Sequence, residues 1–262
     1  MVRSAVLALI TLILAAASVH GQSLSLDPAD AVFQIETMDR QPGSDGIMYG
    51  HGYGTGFFIL GDGTALTASH VVYRAVHHPD KYRLIAVVGK EFYDANVTCA
   101  SKLPYDPTQP DSNKVGVPYT RDVAQIKLAP STMPEGHRRF FYKTKSGEQI
   151  TIATAHTGEL PVFPYLTVGS HPDQHVRVLG FGGISPIPYK WTVDGRVVKT
   201  WSSKIDGTPV FDIQSPNPAV PGDSGAPVLN DENQVVGLWT WHYYDRPDTG
   251  TAQDGAVLRS PC

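Results

Sequence analysis

Apolar and polar positions in this chain alternate over short runs, separated by glycine- and proline-containing turns. Val123, Gln125 and Lys127 oppose Ala124, Ile126 and Leu128, the two-residue period of a half-buried strand. The same reading predicts first-half strands over Ala31–Thr37, Thr55–Leu60, Thr64–Ala68, Arg83–Gly89, Ala95–Ala100 and Val123–Leu128. In the second half it predicts strands over Val176–Gly180, Val197–Ser202, Pro209–Ile213, Ala226–Leu229, Val235–Trp241 and Gly255–Leu258. No long stretch carries the helical period. The expected class is therefore all-β: two six-stranded antiparallel β-barrels packed together, with an active site between them. Strand spacing alone does not exclude a sandwich.

The break between the halves falls in residues 129–170, rich in Pro, Thr and Gly and carrying the basic cluster His137-Arg138-Arg139. Within it, Gln149–Ala155 alternates well enough for an extra strand. The expected organisation is a leader over 1–21, a first barrel over 22–135, a connection over 136–170 and a second barrel over 171–262. Tyr105–Tyr119 is a loop-like stretch placed to shape a cleft just before Asp122. Trp191 and Trp201 flank Asp194-Gly195, which predicts a hairpin turn between two core tryptophans.

The amino terminus departs from this pattern. Arg3 precedes an uncharged run, Ala5–Ala17, apolar except for Thr11; small residues follow, with Val19-His20-Gly21 as the expected cleavage site before Gln22. The run is shorter than the roughly 20 residues a membrane span needs. A secretory signal and an extracellular location are expected. The chain of 262 residues has a net charge of −4 and no long basic run, which argues against nucleic acid as a partner. No membrane association is expected once the leader is removed, and the expected state is a monomer. In an oxidising compartment the only two cysteines, Cys99 and Cys262, suggest one bridge tying the chain end to the first half. Unrelated thiols and pairing with another chain are the alternatives. Asn96-Val97-Thr98 is a glycosylation sequon.

Chemistry concentrates at three places. Pro221-Gly222-Asp223-Ser224-Gly225-Ala226-Pro227 sets a serine between glycines in a tight turn, where small neighbours let a substrate carbonyl approach backbone N–H groups. His70 ends Thr64-Ala65-Leu66-Thr67-Ala68-Ser69-His70, and Asp122 opens the alternating run. A serine hydroxyl needs a base to take its proton, and a histidine needs a carboxylate to orient it. The order His, Asp, Ser separates this chain from subtilisin and α/β-hydrolase arrangements.

With these motifs the chain resembles the chymotrypsin-like (trypsin-fold) serine peptidases. The resemblance implies that Ser224 is the nucleophile, His70 the general base and Asp122 its orienting acid, with Gly222 and Ser224 N–H groups as oxyanion hole. It also implies a helical turn at Val71-Val72-Tyr73-Arg74. Gly54-Thr55-Gly56-Phe57 resembles the strand opening before the catalytic histidine. Thr240-Trp241-His242 takes the place of the family's Ser-Trp-Gly substrate-flanking segment. Polypeptide substrates and protein inhibitors are the implied partners, and no metal or cofactor is implied.

The departures are as informative. No Ile-Val-Gly-Gly activation motif precedes His70, so Asp223 lacks the amino-terminal partner it has in animal trypsins. The chain is closer in this respect to glutamyl-endopeptidase-like or microbial members. Ser215–Val220 holds no acid of the kind that reads Lys or Arg, and Asp212 lies further back. Trp239 stands where glutamate-specific members have histidine, and His242 replaces a glycine. Their bulk keeps a second class open, a catalytically silent binding protein with an obstructed pocket. Gly50, Gly52, Gly54 and Gly56 precede no dinucleotide-type helix, and Pro172 argues against a shared helix face for His171 and His175 as zinc ligands.

Overall fold

The computed structural model describes residues 27–44, 47–109, 120–137, 139–143, 149–155, 175–182, 191–217, 220–242 and 248–260. The expected leader, His171 and Cys262 lie outside the described residues.

The first barrel is built from β1 (Val32–Asp39), β2 (Gly50–Phe58), β3 (Thr64–Thr67), β4 (Tyr82–Val88), β5 (Glu91–Ala100) and β6 (Ala124–Ala129). Their order is β4-β1-β2-β3-β6-β5, and an antiparallel β4–β5 pairing closes the ring. Alternation decides which side chains enter. Phe33 and Ile35 point to the core while Gln34 and Glu36 lie on the opposite face of β1. Gly56 lets these apolar residues in, because a Cβ there would stand 2.8 Å from both Phe33 and Ile35 side-chain atoms. The predicted extra strand is β8 (Gln149–Ala155), which pairs antiparallel with β7 (Arg139–Lys143) and joins the edge of β5 in parallel register.

The second barrel consists of β9 (His175–Gly180), β10 (Trp191–Ser202), β11 (Pro209–Gln214), β12 (Pro227–Leu229), β13 (Val235–His242) and β14 (Thr249–Asp254). It closes in the order β10-β11-β14-β13-β12-β9. Its interior gathers Val176, Val178, Val193, Phe211, Ile213 and Trp239. Leu179, Leu229, Val235 and Leu238 instead join the first barrel's apolar cluster. Hydrophobic burial thus runs continuously from one barrel into the other.

Two local expectations are corrected. Asp194-Gly195 is not a hairpin turn: β10 runs straight through it, with Gly195 opposite Val176. Glycine is required there by close packing, since a Cβ would lie 2.6 Å from Ile213 Cγ2 and 3.0 Å from the Gln214 carbonyl. Gly255–Leu258 is not a strand but a short helix, capped by Asp254, whose carboxylate accepts the Ala256 N–H at 2.8 Å. The last strand is the preceding polar stretch Thr249–Asp254. Its five buried residues carry little apolar alternation, because their environment comes from neighbouring strands. Val257 and Leu258 of the helix enter the seam between the barrels.

The packing at Gly195 predicts that Gly195→Ala destabilises the protein by about 1–3 kcal/mol through overpacking. Urea unfolding measures this; an unchanged midpoint would contradict the close strand approach.

Candidate active site

His70 is the second residue of α1 (Ser69–His77), the helix that follows β3. The helix is amphipathic, with Val72 in the barrel core and His77 exposed. Its start is pinned by the Ser69 hydroxyl, which donates to the Val123 carbonyl at 2.7 Å. That carbonyl also accepts from the Ser101 N–H and hydroxyl, at 2.9 and 3.0 Å. The chain on the far side of Asp122 is therefore held from two directions.

Asp122 is 1% exposed. One carboxylate oxygen accepts the His70 backbone N–H at 2.9 Å and the other meets His70 Nδ1 at 2.6 Å. An ionised carboxylate can only accept, so the proton of this pair belongs on Nδ1, leaving Nε2 as the basic nitrogen. Using both oxygens on one residue fixes ring position and tautomer together. Burial, and then the charge of Asp122, push the Tyr105 hydroxyl up, which places this loop tyrosine beside the carboxylate.

The second barrel grips the other side of Asp122. Gln253 on β14 donates to the Thr120 carbonyl at 2.6 Å, and Asp206 accepts the Arg121 N–H at 2.7 Å. The Arg121 guanidinium reaches the Val257 carbonyl at 3.2 Å. The position of Asp122 thus depends on contacts from residues far along the chain.

Ser224 lies in the turn before β12. Gly222 and Gly225 have φ of +104° and +89°, in the region that favours glycine. The Gly225 N–H donates to the Trp239 carbonyl at 2.8 Å, and the Ala226 N–H to the Asp223 carbonyl at 2.8 Å. Asp223 is fully buried, and its carboxylate accepts the Val220 N–H at 2.8 Å. A nearby main-chain donor is thus one of the partners of this carboxylate. Gly180 and Gly182 make room for this carboxylate: their Cβ atoms would stand 2.1 and 2.5 Å from Asp223 Oδ1.

Strand β2 brings the pieces together. The Thr55 N–H donates to the Ser224 carbonyl at 2.8 Å, and the Thr55 hydroxyl donates to the Gly222 carbonyl at 2.8 Å. The same hydroxyl accepts the Phe181 N–H at 2.9 Å. A Cβ on Gly54 would lie 2.6 Å from Val71, the neighbour of His70, and 3.0 Å from the Ser224 carbonyl. The histidine helix and the serine turn therefore rest on the same glycine. Among the described residues, no acceptor takes the N–H of Gly222 or Ser224.

The residues expected to flank substrate are distributed along β13. Thr240 is buried, and its hydroxyl donates to the Thr251 carbonyl at 3.2 Å. Trp241 and His242 pair with Thr251 and Gly250, their side chains lying outside the description. Trp239 is 3% exposed and packs into the second barrel's core. Asp212 accepts from Trp201 Nε1 and the Thr251 hydroxyl, each at 3.0 Å, inside that barrel. His175 meets Asp231 at 2.9 Å, and no group of three potential metal ligands occurs among the described residues.

Two barrels that meet around a serine turn, a histidine and a buried aspartate define a serine peptidase of the chymotrypsin-like fold. A family model described as a trypsin-like peptidase domain matches residues 54–238, and the chain belongs to that family. Similar solved structures include Rv3671c from M. tuberculosis H37Rv as an inactive mutant, with TM-score 0.54, 17% identity and coverage of 89% of this chain and 85% of that one. The active form of the M. tuberculosis Rv3671c protease gives 0.53, 19% identity and coverage of 88% and 79%. No curated protein sequence matches.

Thr55→Val keeps the side-chain shape and removes the oxygen shared by Gly222 and Phe181. It is expected to lower stability by roughly 1–3 kcal/mol, chiefly from the buried Gly222 carbonyl losing this donor. Chemical denaturation tests this, and an unchanged stability would contradict the bridging role of Thr55.

Proposed function

We propose that this chain is a secreted serine endopeptidase acting through His70, Asp122 and Ser224. The observation that carries the reading is the two-point grip of Asp122 on His70, with the Ser224 turn resting on the same Gly54–Thr55 segment. His70 Nε2 removes the Ser224 hydroxyl proton as the oxygen attacks the substrate carbonyl carbon. Gly222 and Ser224 N–H groups donate to the resulting oxyanion, a role favoured by the absence of a protein acceptor for either among the described residues. Collapse breaks the peptide C–N bond, and His70 returns its proton to the departing amine. Water then repeats the cycle on the acyl-enzyme, with His70 as base, releasing the acid and restoring Ser224.

Secretion follows from the leader-like amino terminus and accords with a bridge between Cys99 and Cys262, no described cysteine being free. Its substrates are polypeptides, its inhibitors proteins, and it acts as a monomer without nucleic acid or membrane. The main-chain bond to Asp223 supports activity without cleavage at an Ile-Val-Gly-Gly site.

A fluorophosphonate probe is expected to label the folded protein and not Ser224→Ala. Absence of labelling in folded parent protein would favour the silent binding protein instead. Asp122→Asn should lower kcat by about 10⁴-fold, measured on a peptide substrate at neutral pH. Protein beginning at Gln22 should be active as expressed; a requirement for trypsin treatment would refute self-sufficient assembly of the Asp223 turn.

A further inference from the structure

Glu36 is a buried acid that the hydrolytic scheme leaves unused. It sits in the middle of β1, 8% exposed, opposite Tyr53 of β2 and Ile85 of β4. The Gln34 amide donates to its Oε1, and Oε2 lies 3.4 Å from where a Cβ of Gly50 would stand. Among the described residues it has no ion-pair partner; His51 on β2 is taken by Asp39 at 2.6 Å. A buried carboxylate with one amide donor and no cation is held far more easily as the neutral acid.

Tyr53 connects this acid to the serine turn. Its ring edge occupies the space beside Gly222, where a Cβ would stand 2.5 Å from Cε2 and 2.9 Å from Cδ2. Tyr53 is 41% exposed; its partial burial first, then the charges of Glu36 and Asp223, push its hydroxyl up. The charged and titratable groups around the path are Tyr53 from β2, Asp223 from the turn, the His51–Asp39 pair, and on the same sheet face Arg83 of β4, which is held by Asp94 of β5 at 2.7 Å. The facing residue of β4 is apolar.

We propose that Glu36, acting through Tyr53, is a positioning residue that holds the Gly222 side of the oxyanion turn in place while its carboxyl is neutral. Ionisation puts a charge with no ion-pair partner among the described residues beside Tyr53. The strand pair relieves that charge by admitting water or shifting, and the ring loses its seat against Gly222. A donor displaced from the developing oxyanion weakens transition-state binding more than substrate binding. Burial, opposed by the Gln34 hydrogen bond, raises the Glu36 carboxyl to about 8. The acid is neutral below that pH and charged above it, so activity should fall on the alkaline side.

This inference rests on the peptidase reading, and the experiment separates the two. Ser224→Ala first establishes that hydrolysis of the chosen peptide belongs to this site. If Ser224→Ala retains turnover, the peptidase reading itself fails. With that control in place, parent kcat should drop about tenfold in all as pH rises through 8 and then level off, KM changing less than about twofold, while Glu36→Gln holds kcat level over the same interval. Superimposable pH profiles of parent and Glu36→Gln would overturn the proposal. Thermal melting provides a second readout. The raised acid costs stability as pH climbs from the ordinary carboxylate range through 8, so the parent midpoint should fall more steeply than that of Glu36→Gln. Should Glu36→Gln not fold, Tyr53→Ala decides. A kcat about tenfold lower at pH 7 with KM little changed supports the link to Gly222, and an unaltered kcat overturns it.

Discussion

The structure depends on the contact between β2 and the serine turn. Thr55 uses its N–H on the Ser224 carbonyl and its hydroxyl on the Gly222 carbonyl, while its own carbonyl accepts from Thr67 at 2.7 Å. Gly225 comes so near that a Cβ there would stand 2.2 Å from the Thr55 carbonyl. One residue of the first barrel thereby fixes both ends of the turn that the second barrel contributes. Each bond is modest alone, but these groups are buried, and leaving any of them unpaired is expensive. Apolar packing brings the barrels together; these directional bonds set their register.

The same division of labour recurs at Asp122. The first barrel supplies the histidine helix and β6, and the second supplies Gln253, Asp206 and the Val257 carbonyl. The aspartate is gripped in sequence order by a barrel it does not belong to. Triad geometry and barrel docking are therefore coupled, and a loosened interface would be felt first at the His70–Asp122 pair. Asp223 shows a complementary economy. Its carboxylate fills the room left by Gly180 and Gly182 and satisfies the Val220 N–H within its own turn, a local arrangement. One bond that closes the serine turn joins residues three positions apart.

Much of this molecule was legible as a one-dimensional pattern. Turn residues and two-residue alternation located the strands, since burial of one face imposes that period wherever the strand lies. His70, Asp122 and Ser224 stood out because the chemistry demands those residue types in small-residue surroundings. The Asp194-Gly195 pair misled for a physical reason: glycine serves a turn and a close approach equally well, and local sequence does not distinguish them. The last strand misled because Thr249–Asp254 is buried by its neighbours without carrying an apolar pattern. Trp239, whose bulk suggested an obstructed pocket, turned inward to the barrel core.

Composition, strand rhythm and the ordered motifs were enough to read an all-β peptidase and to single out the three residues proposed to react, because each leaves a signature within a few positions of chain. Other features had no such signature: the Thr55 bridge, the Gln253 hold on Thr120, the packing of Tyr53 on Gly222 and the isolation of Glu36 from any described cation. Those bonds and contacts join residues separated by many tens of positions. Folding alone brings them within a few ångströms, and at that distance hydrogen bonding and desolvation take effect.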